Sequence, residues 1–173
     1  MGMAPSDMQQ EFLSAYDSYA DAIFRHIALR LGDREQGRDL MQETFLKAWE
    51  YVRNGKKVEN LRAFLYKVAN NLIIDVGRRR KLRREESLEA LQEEGFDLPD
   101  EGNIDPGVRI DAKQAMKILR GLDEQSRTAV IMRYVDGLPP REIAELLGVS
   151  ANVASVRINR GLEKLRSHYE EHD

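Results

Sequence analysis

The sequence predicts an all-α protein, two small helical domains joined by a flexible acidic linker. Three observations predict it. Apolar residues recur at three- and four-residue steps in both halves of the chain, and no stretch alternates with the period of two that a strand needs. Between the halves lies a segment with Gly95, Pro99, Gly102 and Asp105-Pro106 among many acids, and it has no such period. The charge inverts where that segment begins. Residues 53–84 hold 11 Lys/Arg and two acids, a net of +9, whereas residues 85–106 hold nine acids and no base, a net of −9. A phosphate-facing region followed by a segment with another electrostatic task accounts for that inversion better than a uniformly solvated surface does. The expected divisions are residues 8–84, 85–107 and 108–170.

The elements follow in order. Phe12, Tyr16, Tyr19, Ile23, Ile27 and Leu31 form the stripe of a first helix, ended by Gly32-Asp33. A second turns Leu40, Met41, Phe45, Ala48, Trp49 and Val52 inward. Arg53-Asn54-Gly55-Lys56-Lys57 is a turn, because Asn-Gly tolerates positive φ and lysines favour water. A third helix is expected from about Asn60 to Arg80, with Leu61, Phe64, Leu65, Val68, Leu72, Ile73 and Val76 inward. Asn71 and Asp75 share that apolar side by their spacing, and Tyr66 and Phe64 read as core. In the acidic segment, Leu88 to Leu91 is the one patch that suits a turn of helix.

Helical periodicity resumes near Val108 with Ile110, Ala115, Ile118, Leu119 and Leu122. Asp123 suits an N-cap for a helix carrying Ala129, Val130, Ile131, Tyr134 and Val135, stopped by Asp136-Gly137. Pro139-Pro140 opens a short helix through Leu147, since a first turn tolerates proline. Gly148-Val149-Ser150 is a tight turn, and Ser150 caps a last helix from Ala151 to about Tyr169.

Composition excludes several classes. The 42% hydrophobic content is enough for packed cores, and the 33% of charged residues points to solvated helical surfaces. With no cysteine there is no disulfide scaffold and no thiolate metal site. His26, His168 and His172 are too scattered for a metal centre, so no cofactor is expected. No apolar run approaches membrane-spanning length and the N-terminus has no signal-like apolar region, so a cytoplasmic protein without membrane insertion is expected. No phosphate loop or nucleophile constellation points to an enzyme, and the clustered carboxylates lie where no acid–base geometry is held.

Residues 141–166 have the layout of a helix-turn-helix. Ala144 is small where two helices approach, and Gly148 supplies the turn four residues later. Ala154, Ile158, Leu162 and Leu165 form the buried stripe of the second helix. Asn152, Ser155, Val156, Asn159, Arg160 and Glu163 occupy the other face, where Arg can read guanine, Asn adenine and Val a thymine methyl. Arg157 and Lys164 flank that face and suit phosphates. An ordinary helical hairpin with a solvated face would carry the same Ala-x-x-x-Gly, but not the whole pattern.

Leu122-Asp123-Glu124-Gln125-Ser126-Arg127, Val130 to Tyr134, Gly137-Leu138, Ile143 to Ser150 and Val156 to Leu162 together resemble region 4 of extracytoplasmic-function (ECF, group IV) sigma factors, the region that reads the −35 promoter element. Ala154, Ser155 and Asn159 differ from that family's usual residues. The first half resembles region 2 through Gly32-Asp33, Asp39 to Trp49, Arg62 to Leu72, Asp75 and Arg78 to Arg80. The resemblance implies a three- to four-helix bundle, then a helix-turn-helix, in a transcription initiation factor for bacterial RNA polymerase.

The resemblance also implies roles. Asp39, Gln42 and Glu43 would dock on core polymerase, whose β and β′ subunits are the expected partners, at the clamp of the largest subunit. The two acids near a helix N-terminus also favour its dipole. Lys56, Lys57 and Asn60 would form the loop that captures a base of the melted −10 element, and Arg62, Lys67 and Asn70 the face along that strand. Arg78, Arg79 and Arg80 would hold phosphates. Asn152, Ser155, Val156, Arg157, Asn159, Arg160 and Lys164 would contact the −35 promoter DNA. The acidic segment would lie in the polymerase channel or act as a plain tether. An anti-sigma factor is the further expected partner. From the residues alone, a free-standing DNA-binding regulator with an N-terminal sensing or dimerisation module remains the other reading.

Overall fold

The computed structural model describes residues 4–86 and 117–171, and every regular element among them is helical. Helix α1 (Pro5–Leu31) begins at a proline, whose missing N–H costs nothing in a first turn, and ends on Gly32 at φ 67°. Asp33 caps α2 (Arg34–Arg53) by accepting from the Gln36 amide at 3.0 Å. Asn60 caps α3 (Leu61–Glu86) in the same way, accepting from the Ala63 amide at 3.0 Å.

The three helices pack pairwise. Ile23, Ile27, Leu40, Phe45, Ala48, Leu65, Tyr66, Ala69, Ile73 and Val76 are buried between them. Full burial of a large apolar side chain stabilises by about 1.5–3 kcal/mol. The α1–α2 seam is aromatic: Phe12 lies 5.2 Å from Trp49 and Tyr16 lies 4.8 Å from Phe45, in tilted and edge-on contacts. Helix α3 runs past its expected end near Arg80. Its added residues are good helix formers, and Arg83 and Arg84 sit in the last turn, where cations favour the helix dipole.

In the second half, residues 117–120 are helical and Asp123 caps α4 (Glu124–Val130). The chain then widens into a π-helical turn, Ile131–Val135, in which the Asp136 amide reaches back to the Ile131 carbonyl at 3.1 Å. The sequence predicts an ordinary helix here. The π turn changes the phase, so that Met132 is buried while Tyr134 and Val135 are exposed. Helices α5 (Pro140–Leu147) and α6 (Ala151–Glu170) follow.

The α5–α6 turn is a Schellman arrangement. The Val149 amide donates to the Ala144 carbonyl at 3.0 Å and the Gly148 amide to that of Glu145 at 3.3 Å, with Gly148 left-handed at φ 63°. Gly161 sets how closely α6 approaches α4, since a Cβ there would stand 2.3 Å from Val130 Cγ2. Leu119, Leu122 and Val130 form a buried cluster with Leu165 against it.

The chain divides into two compact units at Gly95 and Phe96. The Leu88 to Leu91 patch, nearly all of the expected linker, and the periodic positions Val108, Ile110 and Ala115 lie outside the described residues. Among the described residues, no helix is long and apolar enough to cross a membrane.

Candidate nucleic-acid interface

Three surfaces gather the expected site residues. The first is on α2. Asp39, Gln42 and Glu43 fall at i, i+3 and i+4, so they share one face, and all three are exposed. Buried Leu40, Thr44 and Phe45 hold the opposite face against the bundle. The Thr44 hydroxyl donates to the Leu40 carbonyl at 2.7 Å, so its burial leaves no unmet donor. Glu43 pairs with Lys47 at 3.8 Å. Leu46, which the sequence reading missed, extends the face by a turn and is 57% exposed. Its signal was available: a leucine three residues after Glu43 lies off the apolar stripe.

The second surface is the 54–60 loop with α3. Lys56, Lys57 and Asn60 are exposed. The Asn60 carbonyl oxygen is engaged as the α3 cap. Lys56 Nζ stands over the Tyr51 ring, 4.8 Å from its centroid. The Arg62 guanidinium is half-buried over the Tyr66 ring at 5.5 Å. Lys67, Arg78 and Arg79 are exposed.

Two expected strand contacts are placed otherwise. Asn70 is 2% exposed, and its side-chain carbonyl accepts from Arg30 of α1. Asn71 and Asp75, expected on the apolar side, are exposed instead. The reason is that α3 packs against both α1 and α2, so the buried side is centred on Leu65, Ala69, Leu72, Ile73 and Val76 and leaves these two outside. The exposed side includes Lys67, Asn71, Asp75, Arg78 and Lys81 at helical spacing, with Arg79 beside them. Arg80 faces inward in part. Its Nη1 donates to the Leu31 carbonyl at 3.2 Å and its Nη2 to the Gln36 side-chain oxygen at 2.6 Å. It satisfies a carbonyl at the end of α1 and ties the α1–α2 corner to α3.

The third surface is α6. Ser150 caps it, its hydroxyl oxygen accepting from the Val153 amide at 3.2 Å. Ala154, Ile158 and Gly161 are buried, with Leu162 and Leu165 half-buried. Asn152, Val156, Asn159, Arg160 and Glu163 are exposed on the other side, and Ser155 and Arg157 are half-buried at its margins. Val153 is an exposed apolar residue at the start of the helix that the sequence reading did not single out. Lys164 is paired with Asp123 at 3.4 Å, both side chains about half exposed. The Asp123 carboxyl is lowered from 3.8 to about 2, first by the Ser126 backbone N–H, then by the Ser126 side chain, with a smaller contribution from Lys164.

The two halves of the chain match two known families in chain order. Residues 15–85 match the Sigma-70 region 2 family and residues 112–165 the Sigma-70, region 4 family. The ECF RNA polymerase sigma factor SigL of Mycobacterium tuberculosis is 31% identical, over 87% of this chain and 84% of its own length. The chain belongs to the ECF RNA polymerase sigma factors. SigW of Bacillus subtilis, another ECF factor, is 29% identical over 91% of this chain and 88% of its own length. As an ECF sigma factor the chain is a promoter-recognising transcription initiation factor and not an enzyme, which sets aside the free-standing regulator.

The fold is also that of two solved structures. RpoE from Bartonella quintana, solved with the anti-sigma factor NepR, superposes with a TM-score of 0.76 at 20% identity, covering 93% of this chain and 98% of that one. CnrH, solved with the cytosolic domain of CnrY, gives 0.67 at 19% identity, covering 95% and 91%.

Proposed function

We propose that this ECF factor, of the group IV type, divides its task among the three surfaces. The α2 face of Asp39, Gln42, Glu43 and Leu46 docks on the clamp of core polymerase: three hydrogen-bonding groups around an exposed leucine make a compact protein-binding patch. The 54–60 loop and the exposed arc of α3, with Lys56, Lys57, Lys67, Asn71, Arg78 and Arg79, hold the melted non-template −10 strand. The α6 face of Asn152, Val156, Asn159 and Arg160 reads the −35 element in the major groove, with Ser155, Arg157 and Lys164 beside it. The observation that carries the assignment is the division of α6, where Ala154, Ile158 and Gly161 are buried opposite that exposed polar face.

Work at promoters places the protein in the cytoplasm. An anti-sigma factor that covers the Asp39–Glu43 face would hold it inactive, in keeping with the anti-sigma factor NepR bound to RpoE, a sigma factor of like fold. The test is gel filtration with core polymerase. Asp39→Arg with Gln42→Ala should abolish co-elution while circular dichroism stays unchanged. Co-elution equal to wild type would remove the docking face.

A further inference from the structure

Alanine is favoured inside a helix and glycine is not, so Gly161 in the middle of α6 works against the helix's own preference. What it provides is room. A Cβ there would overlap Val130 Cγ2 and stand 3.4 Å from the Ser126 carbonyl oxygen, both on α4. Val130 is buried and β-branched, so its side chain has little freedom to turn aside. A larger residue at 161 must therefore part α6 from α4 until the two carbons reach an ordinary contact, 3.4 Å or more. The other end of α6 is held independently. The Gly148-to-Ser150 turn ties it to α5, with the Val149 amide on the Ala144 carbonyl at 3.0 Å. Gly161 lies about 15 Å along the helix axis from Ala151. A push at Gly161 thus swings α6 about its N-terminal end, and it displaces Asn159 and Arg160 more than Asn152.

We propose that Gly161, which is buried and faces away from DNA, is a positioning residue for promoter reading: its contact with Val130 sets the height at which Asn159 and Arg160 meet the base edges. A hydrogen bond to a base edge is made only over a few tenths of an ångström, and a two-point bond fixes direction as well. A shift of the helix therefore breaks base readout first. Contacts from long exposed cations to phosphate follow the DNA backbone and survive the same shift. Selectivity along α6 is thus set in two parts, by the α5–α6 turn at its start and by the α4 seat at Gly161. This rests on the reading of α6 as the −35 helix.

The test uses the full chain with core polymerase and promoters in which each −35 base pair is replaced in turn, with affinity read by fluorescence anisotropy. Arg160→Ala and Asn152→Ala first mark which positions each end of α6 reads. Gly161→Ala should lower discrimination about tenfold at the positions marked by Arg160 and leave those marked by Asn152 unchanged. Its salt slope should equal that of the wild type, which shows the phosphate contacts and the fold intact. Adding Val130→Ala to Gly161→Ala removes the obstructing methyl and should restore discrimination. Gly161→Ala with wild-type discrimination at every position overturns the proposal. So does an equal loss at all positions with a reduced salt slope, which would make Gly161 a stability residue only. A double variant that keeps the wild-type salt slope but fails to regain discrimination also overturns it. A double variant that loses the slope is replaced by Val130→Ala alone, which should leave discrimination as in the wild type, and a selective loss there contradicts the seat. If the wild-type holoenzyme discriminates at no −35 position, the reading of α6 falls, and the role of Gly161 with it.

Discussion

Helices α3 and α6, the two proposed DNA-facing helices, are built differently. On α6 the polar face stands apart from the core: Asn152, Val156, Asn159 and Arg160 are exposed, and burial falls on the opposite side. On α3 the basic and polar residues are divided between the surface and the fold. Asn70 bonds Arg30, Arg62 lies on Tyr66, and Arg80 bonds Leu31 and Gln36, while Lys67, Arg78 and Arg79 stay outside. A helix that enters a groove needs one clean face, and its packing is confined to the other. A helix packed against two others has less free surface along its packed length, so some of its cations also serve as struts. The net charge of a segment therefore overstates how many of its cations can reach phosphate.

The largest effect that would sharpen this contrast is on stability. Arg80→Ala removes two charge-assisted bonds and should cost about 1.5–3 kcal/mol. The neighbouring Arg79→Ala should stay within about 0.5 kcal/mol. Urea unfolding of the full chain measures both. Equal costs would return Arg80 to the DNA-facing set and erase the distinction between struts and contacts.

A smaller effect concerns the Asp123 cap of α4. The folded Asp123 carboxyl lies at about 2, below its ordinary 3.8. A depressed carboxyl favours the folded state above its unfolded value, and that contribution is lost as pH falls from about 4 toward 2. Asp123→Asn keeps a capping side chain without the charge. The wild type should therefore melt higher than Asp123→Asn at pH 7, and the gap should close by pH 2. A constant gap would show that the charge is not what Asp123 contributes.

The contrast also explains what the sequence could reveal. Local signals were legible: the Asp123 and Ser150 caps, the stops at Gly32 and Gly148, and the α6 stripe all depend on residues within a turn or two of each other. What escaped depended on partners far along the chain. Asn70 and Asn71 are adjacent, and only packing against α1 decides which one is buried. Arg80 looks like its neighbours until Leu31, 49 positions earlier, is brought beside it. The π turn at Ile131–Val135 breaks the period on which the reading of Tyr134 and Val135 relied.

The central claim is that α6 reads sequence while the exposed cations of α3 supply charge. The most direct measurement is holoenzyme affinity for promoters with matched and scrambled −35 elements across salt, comparing Arg160→Ala with Arg78→Ala. Arg160→Ala should cost about 1–3 kcal/mol on the matched element and little on the scrambled one. Arg78→Ala should weaken both alike and reduce the salt slope by about 1. An equal loss from Arg160→Ala on matched and scrambled elements would contradict the account, because it would make Arg160 another phosphate contact.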